Sequence, residues 1–338
     1  MLVRIFAKAP CRVDLAGGTL DIWPLYLFHE GAVTVNFAVD LYASVWIELR
    51  EDQRIILRSR DLDQVEMFES LAHLCAKKRY KLPLAAYQLR FFRPDRGLVM
   101  ETDSQAPAGA GIAGSSAMII AINSALNRLT GASYTLEQLR EISQNIEAQI
   151  IRVPTGCQDY YPAMYGGVNA IELGPVGVVR KAIAVEVEEL NRRMVLAYTG
   201  VPRQSGINNW EVMKAYLDGD RRVQKNFDQI TAIAKAMRAA LEKGDWREIG
   251  RLLREEWAHR RRNAPGISTP LIDHLIEVTR RVGARGAKVC GAGGGGCVFF
   301  LVEPEAKTRV EEVIRNAGAQ VLPAQVATRG VQVRTSTT

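Results

Sequence analysis

Cysteine is scarce in this chain: the five are Cys11, Cys75, Cys157, Cys290 and Cys297. Their odd number and the lack of any C-x-x-C spacing argue against a disulfide framework or a cysteine zinc site. They are expected as reduced thiols that pack as small apolar residues, although Cys11, Cys157 and Cys290 fall inside motifs described below. Long apolar runs are missing too. No uncharged stretch of roughly 18 or more residues is apolar enough throughout to read as a bilayer-spanning helix. The opening MLVRIFAKAPCRVDL puts charges into a short apolar run, unlike the core of a signal peptide. It reads as a first strand, and a cytoplasmic protein is expected. Repeats and low-complexity segments are lacking. No G-x-x-x-x-G-K-[ST] loop occurs, and no aromatic-studded basic stretch or DNA-binding motif suggests a nucleic-acid partner.

The 338 residues that are present suffice for two domains and a large core. The formal net charge of +7 favours phosphate-bearing partners in general. The densest basic run, His259-Arg260-Arg261-Arg262, follows Glu255-Glu256 in a helical pattern and reads as a solvated helix end.

Short β-branched or alternating runs cover Leu2 to Ala7, Ala32 to Ala38, Leu41 to Glu51 and Gln53 to Ser59. Helical periodicity is read from about Glu66 to Val153, with a strand at Gly97 to Thr102. Two helices stand out. Ser115 to Thr130 is apolar nearly all round, hence buried, and Gly131 is placed as its C-terminal cap. Leu136 to Ile151 carries apolar residues at steps of three and four, with Thr135 and Gln138 in capping-box spacing and Pro154 beyond its end. Strands follow near Gly167 to Leu173, Val178 to Val185 and Met194 to Tyr198. A helical block runs from Ile207 to Val282, broken at Gly244 and at Pro265-Gly266. A strand–loop–strand spans Ala287 to Val302, a helix Pro304 to Ala317, and short strands close the chain. Without a βαβ rhythm this is an α+β protein. Two domains, 1–180 and 181–338, are expected.

Three motifs carry chemistry. Pro107-Ala-Gly109-Ala-Gly111-Ile-Ala-Gly114-Ser115-Ser116-Ala117 directly precedes the buried helix. Its glycines let backbone N–H groups converge, and the helix start adds partial positive charge, so an anion cradle without a lysine is expected. Its serines are suited to capping the helix, bonding a phosphate or ligating Mg²⁺. Lys288-Val-Cys-Gly291-Ala-Gly293-Gly294-Gly295-Gly296-Cys-Val contains G-x-G-x-x-G, but a strand-like Cys297 to Val302 follows instead of a helix, which excludes a dinucleotide fingerprint. Four glycines between strands suit the close approach of another backbone or a ligand. In Ala9-Pro10-Cys11-Arg12-Val13-Asp14-Leu15-Ala16-Gly17-Gly18-Thr19-Leu20-Asp21, charged residues alternate with apolar ones before a Gly-Gly turn. Carboxylates suit hydroxyl-rich ligands, and Arg12 suits a phosphoryl group in transit; an exposed hairpin is the competing reading.

In this order, over essentially the full length, the motifs resemble those of the GHMP kinases, nearest the branch with bacterial heptose-7-phosphate kinases and fucokinase-like enzymes. Tyr198-Thr199-Gly200, Ile267 to Asp273 and Gly286 to Gly296 extend the likeness. The resemblance implies a two-domain GHMP kinase fold with an S5-domain-2-like N-terminal domain and a ferredoxin-like C-terminal domain. It implies an ATP- and Mg²⁺-dependent kinase for a sugar or sugar phosphate, with D-glycero-D-manno-heptose 7-phosphate first. Free hexoses, mevalonate or homoserine, or a non-catalytic sensor are the alternatives. Asp159, in Thr155-Gly-Cys-Gln-Asp159-Tyr-Tyr, corresponds to the catalytic base, and Arg12 to its arginine partner. Glu147 corresponds to the acidic metal ligand and Ser116 to the loop serine that reaches the metal, with Ser115 as the alternative in a loop one residue longer than the commoner form. Pro107, Gly109, Gly111, Gly114, Ser115, Ser116 and Ala117 would bind the nucleotide. Gly17, Gly18, Thr19, Asp21, Gly293 and Gly294 would shape the substrate pocket. The Ala-Gly-Gly-Thr-Leu-Asp sequence departs from the Gly-Glu-His-Thr-Asp of galactokinases, which makes galactose a poorer candidate.

Overall fold

A computed structural model describes residues 3–202 and 205–337. The chain opens with two long antiparallel strands, β1 (Val3–Ala16) and β2 (Val33–Leu49). A hairpin of β3 (Ile55–Ser59) and β4 (Gln64–Phe68) follows, then the helices α1 (Leu71–Ala76) and α2 (Pro83–Phe92). Strand β5 (Leu98–Ser104) inserts between β2 and β3, antiparallel to the first and parallel to the second. Helices α3 (Gly114–Thr130), α4 (Leu136–Ile151) and α5 (Tyr160–Tyr165) come next, then the hairpin β6 (Val168–Gly174) and β7 (Gly177–Ile183), with β6 pairing β2.

The second half begins with α6 (Val187–Arg193) and β8 (Met194–Tyr198). Four helices follow: α7 (Ser205–Leu217), α8 (Arg221–Lys243), α9 (Trp246–Arg260) and α10 (Pro270–Arg281). Strands β9 (Ala284–Val289) and β10 (Cys297–Val302), helix α11 (Lys307–Asn316), β11 (Gln320–Leu322) and β12 (Gln332–Thr337) complete the chain. An antiparallel four-stranded sheet has the order β11-β8-β10-β9. β12 falls within the second expected domain, yet it returns to the eight-stranded sheet and pairs with β1. The α+β class is as expected.

Helix α3 has the predicted character. Eleven of its residues are buried, from Ser116 to Leu126, and it packs on β1, β2, α2 and α4. Gly131 caps it at φ 67°, a left-handed geometry that glycine adopts without a Cβ clash. The capping box of Thr135 and Gln138 forms at the start of α4. Three expectations are corrected. The two strands read at 32–38 and 41–51 are one, because a single Asp40 does not break the apolar alternation; its carboxylate accepts a bond from Gln325 N at 2.7 Å. The helical reading from Glu66 fails because residues 64–68 pair with β3, and buried Glu66 accepts Lys77 Nζ at 2.7 Å and Lys81 N at 2.8 Å. The first strand continues to Ala16, so Arg12 and Asp14 sit buried in a paired strand rather than on an exposed hairpin. Leu2, read as the start of that strand, lies outside the described residues.

Candidate active site

The three motifs meet in one cavity of about 460 Å³. Its first wall is the loop before α3. Pro107, Gly109, Gly111, Gly114, Ser115 and Ser116 line it. Gly109, Gly111 and Ala113 all have positive φ, 69°, 78° and 60°. Such alternation turns backbone N–H groups toward a common concavity, and the start of α3 adds its partial positive charge. The serines do not cap the helix: its N-cap is Ala113, with no side-chain cap bond. Instead Ser115 Oγ donates to Glu147 Oε1 at 2.7 Å, and Ser116 Oγ to Oε2 at 3.3 Å. Tyr160 OH donates to the same carboxylate. Burial raises the Glu147 carboxyl above its ordinary pKa, against the pull of these hydroxyls. Ala117 is fully buried in the helix core and does not line the cavity.

Arg12 ties the wall to Asp159. Its Nε and Nη2 donate to Asp159 Oδ1 at 2.8 and 2.7 Å, and its Nη1 donates to the carbonyl of Gly111 at 2.8 Å. Burial alone would lower the guanidinium pKa, but Asp159 and Asp14 overcompensate and keep it charged. Asp159 stands at the N-cap of α5 without capping it, its side chain 27% accessible and facing the cavity.

The acceptor-side turn follows β1. Gly18, Thr19 and Asp21 line the cavity. Asp21 accepts a bond from Gln158 N at 2.9 Å. Burial, then the nearby Asp159 charge, push its pKa from 3.8 to about 7. Gly156 is required here, since a Cβ would lie 2.0 Å from Asp21 Oδ2. Gly17 packs against the Val33 carbonyl, away from the cavity. Gly293 and Gly294 also lie behind the wall: a Cβ on Gly293 would sit 2.5 Å from the Ile267 carbonyl, and Gly294 N donates to that carbonyl at 2.9 Å. The parts of this loop that reach the cavity are Gly291 and Ala292. Gly296 fills the seam with the phosphate-loop wall, where Cys297 N donates to Ala110 O at 2.7 Å.

Sequence reasoning missed the ionic frame behind this turn. Asp14 accepts Lys288 Nζ and Gly291 N, the latter at 2.9 Å. Lys288, Arg12 and Arg260 hold the Asp14 carboxyl below its ordinary range although burial pushes the other way. Arg260, read as part of a solvated helix end, is 3% exposed and lines the cavity, whereas Arg261 and Arg262 are exposed. It is the inward member of an amphipathic helix, a position the run of basic residues concealed. Apolar side chains of Leu62, Leu82, Pro83, Met118 and Ile122 also line the cavity, and no motif announced Leu62, Leu82 or Pro83. Cys11, Cys157 and Cys290 are buried and none lines the cavity, as their packing reading expected. Among the described residues no cluster of three or more His, Cys, Asp or Glu forms a metal site, and no helix is long and apolar enough to cross a membrane.

Residues 74–167 match the GHMP kinases N terminal domain, and residues 237–320 match GHMP kinases C terminal. The two matches together span more than half of the chain. The chain belongs to the GHMP kinase family. It is a phosphotransferase with an alcohol group as acceptor, and GHMP kinases use ATP as phosphoryl donor. It is 25% identical over 335 residues to D-glycero-alpha-D-manno-heptose 7-phosphate kinase of Campylobacter jejuni, covering 97% of this chain and 98% of that one. It is 26% identical to a mevalonate kinase of Thermococcus sibiricus, with 98% of each covered. A crystal structure of a D-glycero-D-manno-heptose 1-phosphate kinase from Bacteroides thetaiotaomicron superposes with a TM-score of 0.78 at 25% identity, covering 98% of both chains.

Proposed function

We propose that this GHMP kinase transfers the γ-phosphoryl of ATP to a hydroxyl of a sugar or sugar phosphate, with O1 of D-glycero-D-manno-heptose 7-phosphate as the first candidate. The observation that carries the reading is the Arg12 bridge, which joins Asp159 to the Gly111 carbonyl of the phosphate loop. One side chain thereby sets the distance between a proton acceptor and a phosphate cradle. Asp159 takes the proton of the attacking hydroxyl as it is phosphorylated. Arg12 stays charged and offsets the negative charge that moves with the phosphoryl group. The loop N–H groups and the start of α3 receive the phosphates.

Glu147 with Ser115 and Ser116 fits Mg²⁺. The set offers hard oxygen donors, and the buried carboxylate forms no ion pair among the described residues. Glu147, Ser115 and Ser116 would hold the ion, which would supply positive charge against the phosphates of the nucleotide.

Relatives named for heptose phosphate and for mevalonate align at similar identity, so acceptor class rests on the acceptor wall. Thr19, Asp21, Gln158 and Asn209 crowd it with polar groups, which suits a polyhydroxylated acceptor. ADP release over a panel of D-glycero-D-manno-heptose 7-phosphate, L-fucose, galactose, mevalonate and homoserine tests this. The expected result is release with a sugar, led by the heptose phosphate. A preference for mevalonate or homoserine would overturn the acceptor class, and no release with any member would overturn the proposed acceptors.

A further inference from the structure

The acceptor-side turn is held by a chain of buried charges that crosses from one half of the molecule to the other. Arg260 Nη2 donates to the Gly18 carbonyl at 2.9 Å, and Nη1 donates to Thr19 Oγ1 at 3.3 Å. The guanidinium is fixed from behind by Glu256, one helical turn earlier, through Nε at 2.8 Å and through Nη2. Glu256 is fully buried, and its other oxygen lies 3.9 Å from Lys288 Nζ. Lys288 in turn pairs with Asp14, and Asp14 lies 3.8 Å from Arg12. Charges alternate in sign from Arg260 to Asp159. Thr19 needs such support: it holds a φ of 71°, left-handed backbone that a β-branched residue adopts at a cost. Two residues later Asp21 projects into the cavity.

We propose that Arg260 is a positioning residue for the acceptor. It pins the Gly18–Thr19 turn and so sets Asp21 at the acceptor wall, and it acts on acceptor affinity rather than on the phosphoryl step. Its site is α9, an element outside all three glycine and aspartate motifs. The Glu256–Lys288–Asp14 chain gives it rigidity, because a buried guanidinium is worth its place only when its partners are complete. A lysine would keep the charge but could not span Gly18 O, Thr19 Oγ1 and Glu256 with one planar fork.

This inference rests on the acceptor reading above, and the test separates the two. In Arg260→Lys, amide hydrogen exchange of residues 17–22 should speed about tenfold while that of 114–130 stays unchanged. For the panel sugar that the wild type phosphorylates, acceptor KM should rise about tenfold with ATP KM and kcat held within about twofold. Unchanged exchange at 17–22, or a fall in kcat with acceptor KM intact, overturns the assignment. A wild type that phosphorylates no panel member defeats the acceptor reading, and the exchange result then decides the role of Arg260 by itself. If Arg260→Lys does not fold, the double variant R260M/E256Q removes one charge of each sign and should give the same local exchange pattern; protection of 17–22 at the wild-type level would refute the proposal.

Discussion

The two ends of the cavity that the proposed function assigns to the phosphates and to the acceptor are built of different materials. From Pro107 to Ala117 the loop carries no charged residue; it offers backbone, a helix start and two hydroxyls. The acceptor end places Arg12, Asp14, Glu256, Arg260 and Lys288, all buried, beside Asp21 and Asp159. Backbone recognition tolerates exchange of side chains so long as φ and close approach are kept. A buried ion chain does not, since removing one member strands its partner in low dielectric. A family that shares one phosphoryl donor and differs in acceptor would be served by this division: a loop any sequence can build from glycine, and a side-chain wall that can be rewritten.

The largest expected effect lies where the two ends join. Arg12→Met removes the bridge between Asp159 and the loop, and turnover should fall on the order of 10²–10³-fold, as for loss of a charge-stabilising donor. A variant that keeps most of its turnover would mean that the two ends are set independently. Paired glycine variants sharpen the contrast. Gly156→Ala puts a Cβ 2.0 Å from Asp21 Oδ2 and should raise acceptor KM, while Gly296→Ala, at φ 77° and 2.6 Å from the Ala110 carbonyl, should raise ATP KM. Each should also cost about 1–3 kcal/mol in denaturant unfolding. Equal effects on both KM values in both variants would break the division.

The smallest effect concerns Asp21 and pH. Its folded pKa of about 7 lies above the ordinary 3.8, so the folded state holds a proton that the unfolded state releases. The stability it contributes is complete below about pH 4 and is lost as pH rises through about 7. Asp21→Asn should therefore gain stability relative to wild type, on the order of 1–2 kcal/mol, between pH 5 and pH 8. Melts in urea at the two pH values check the sign; the same stability difference at both would mean that Asp21 is already ionised in the folded protein.

The same division explains what the sequence made legible. The phosphate loop, the capping box on α4 and the strand after the last glycine loop are local patterns, written within a dozen residues. The ionic frame is not local: Asp14 and Lys288 are 274 positions apart, and Gly18 and Arg260 are 242 apart. Nothing in His259-Arg260-Arg261-Arg262 marks one arginine as inward except the phase of α9, which needs the helix boundaries. For Gly293 and Gly294 the motif suits the close approach of a backbone or of a ligand, and what approaches them is the Ile267 backbone. The long β2 was divided at Asp40 for want of the partner that holds it, Gln325 N.

In the proposed function Asp159 serves the acceptor hydroxyl, apart from the loop before α3 that receives the nucleotide phosphates. Asp159→Asn, assayed with the best panel sugar and titrated separately with ATP, tests it most directly. The account predicts a fall in kcat of roughly 10²–10⁴-fold, with ATP affinity within about threefold of wild type. Near-normal turnover, or a loss of ATP binding that matches the loss of rate, would contradict it.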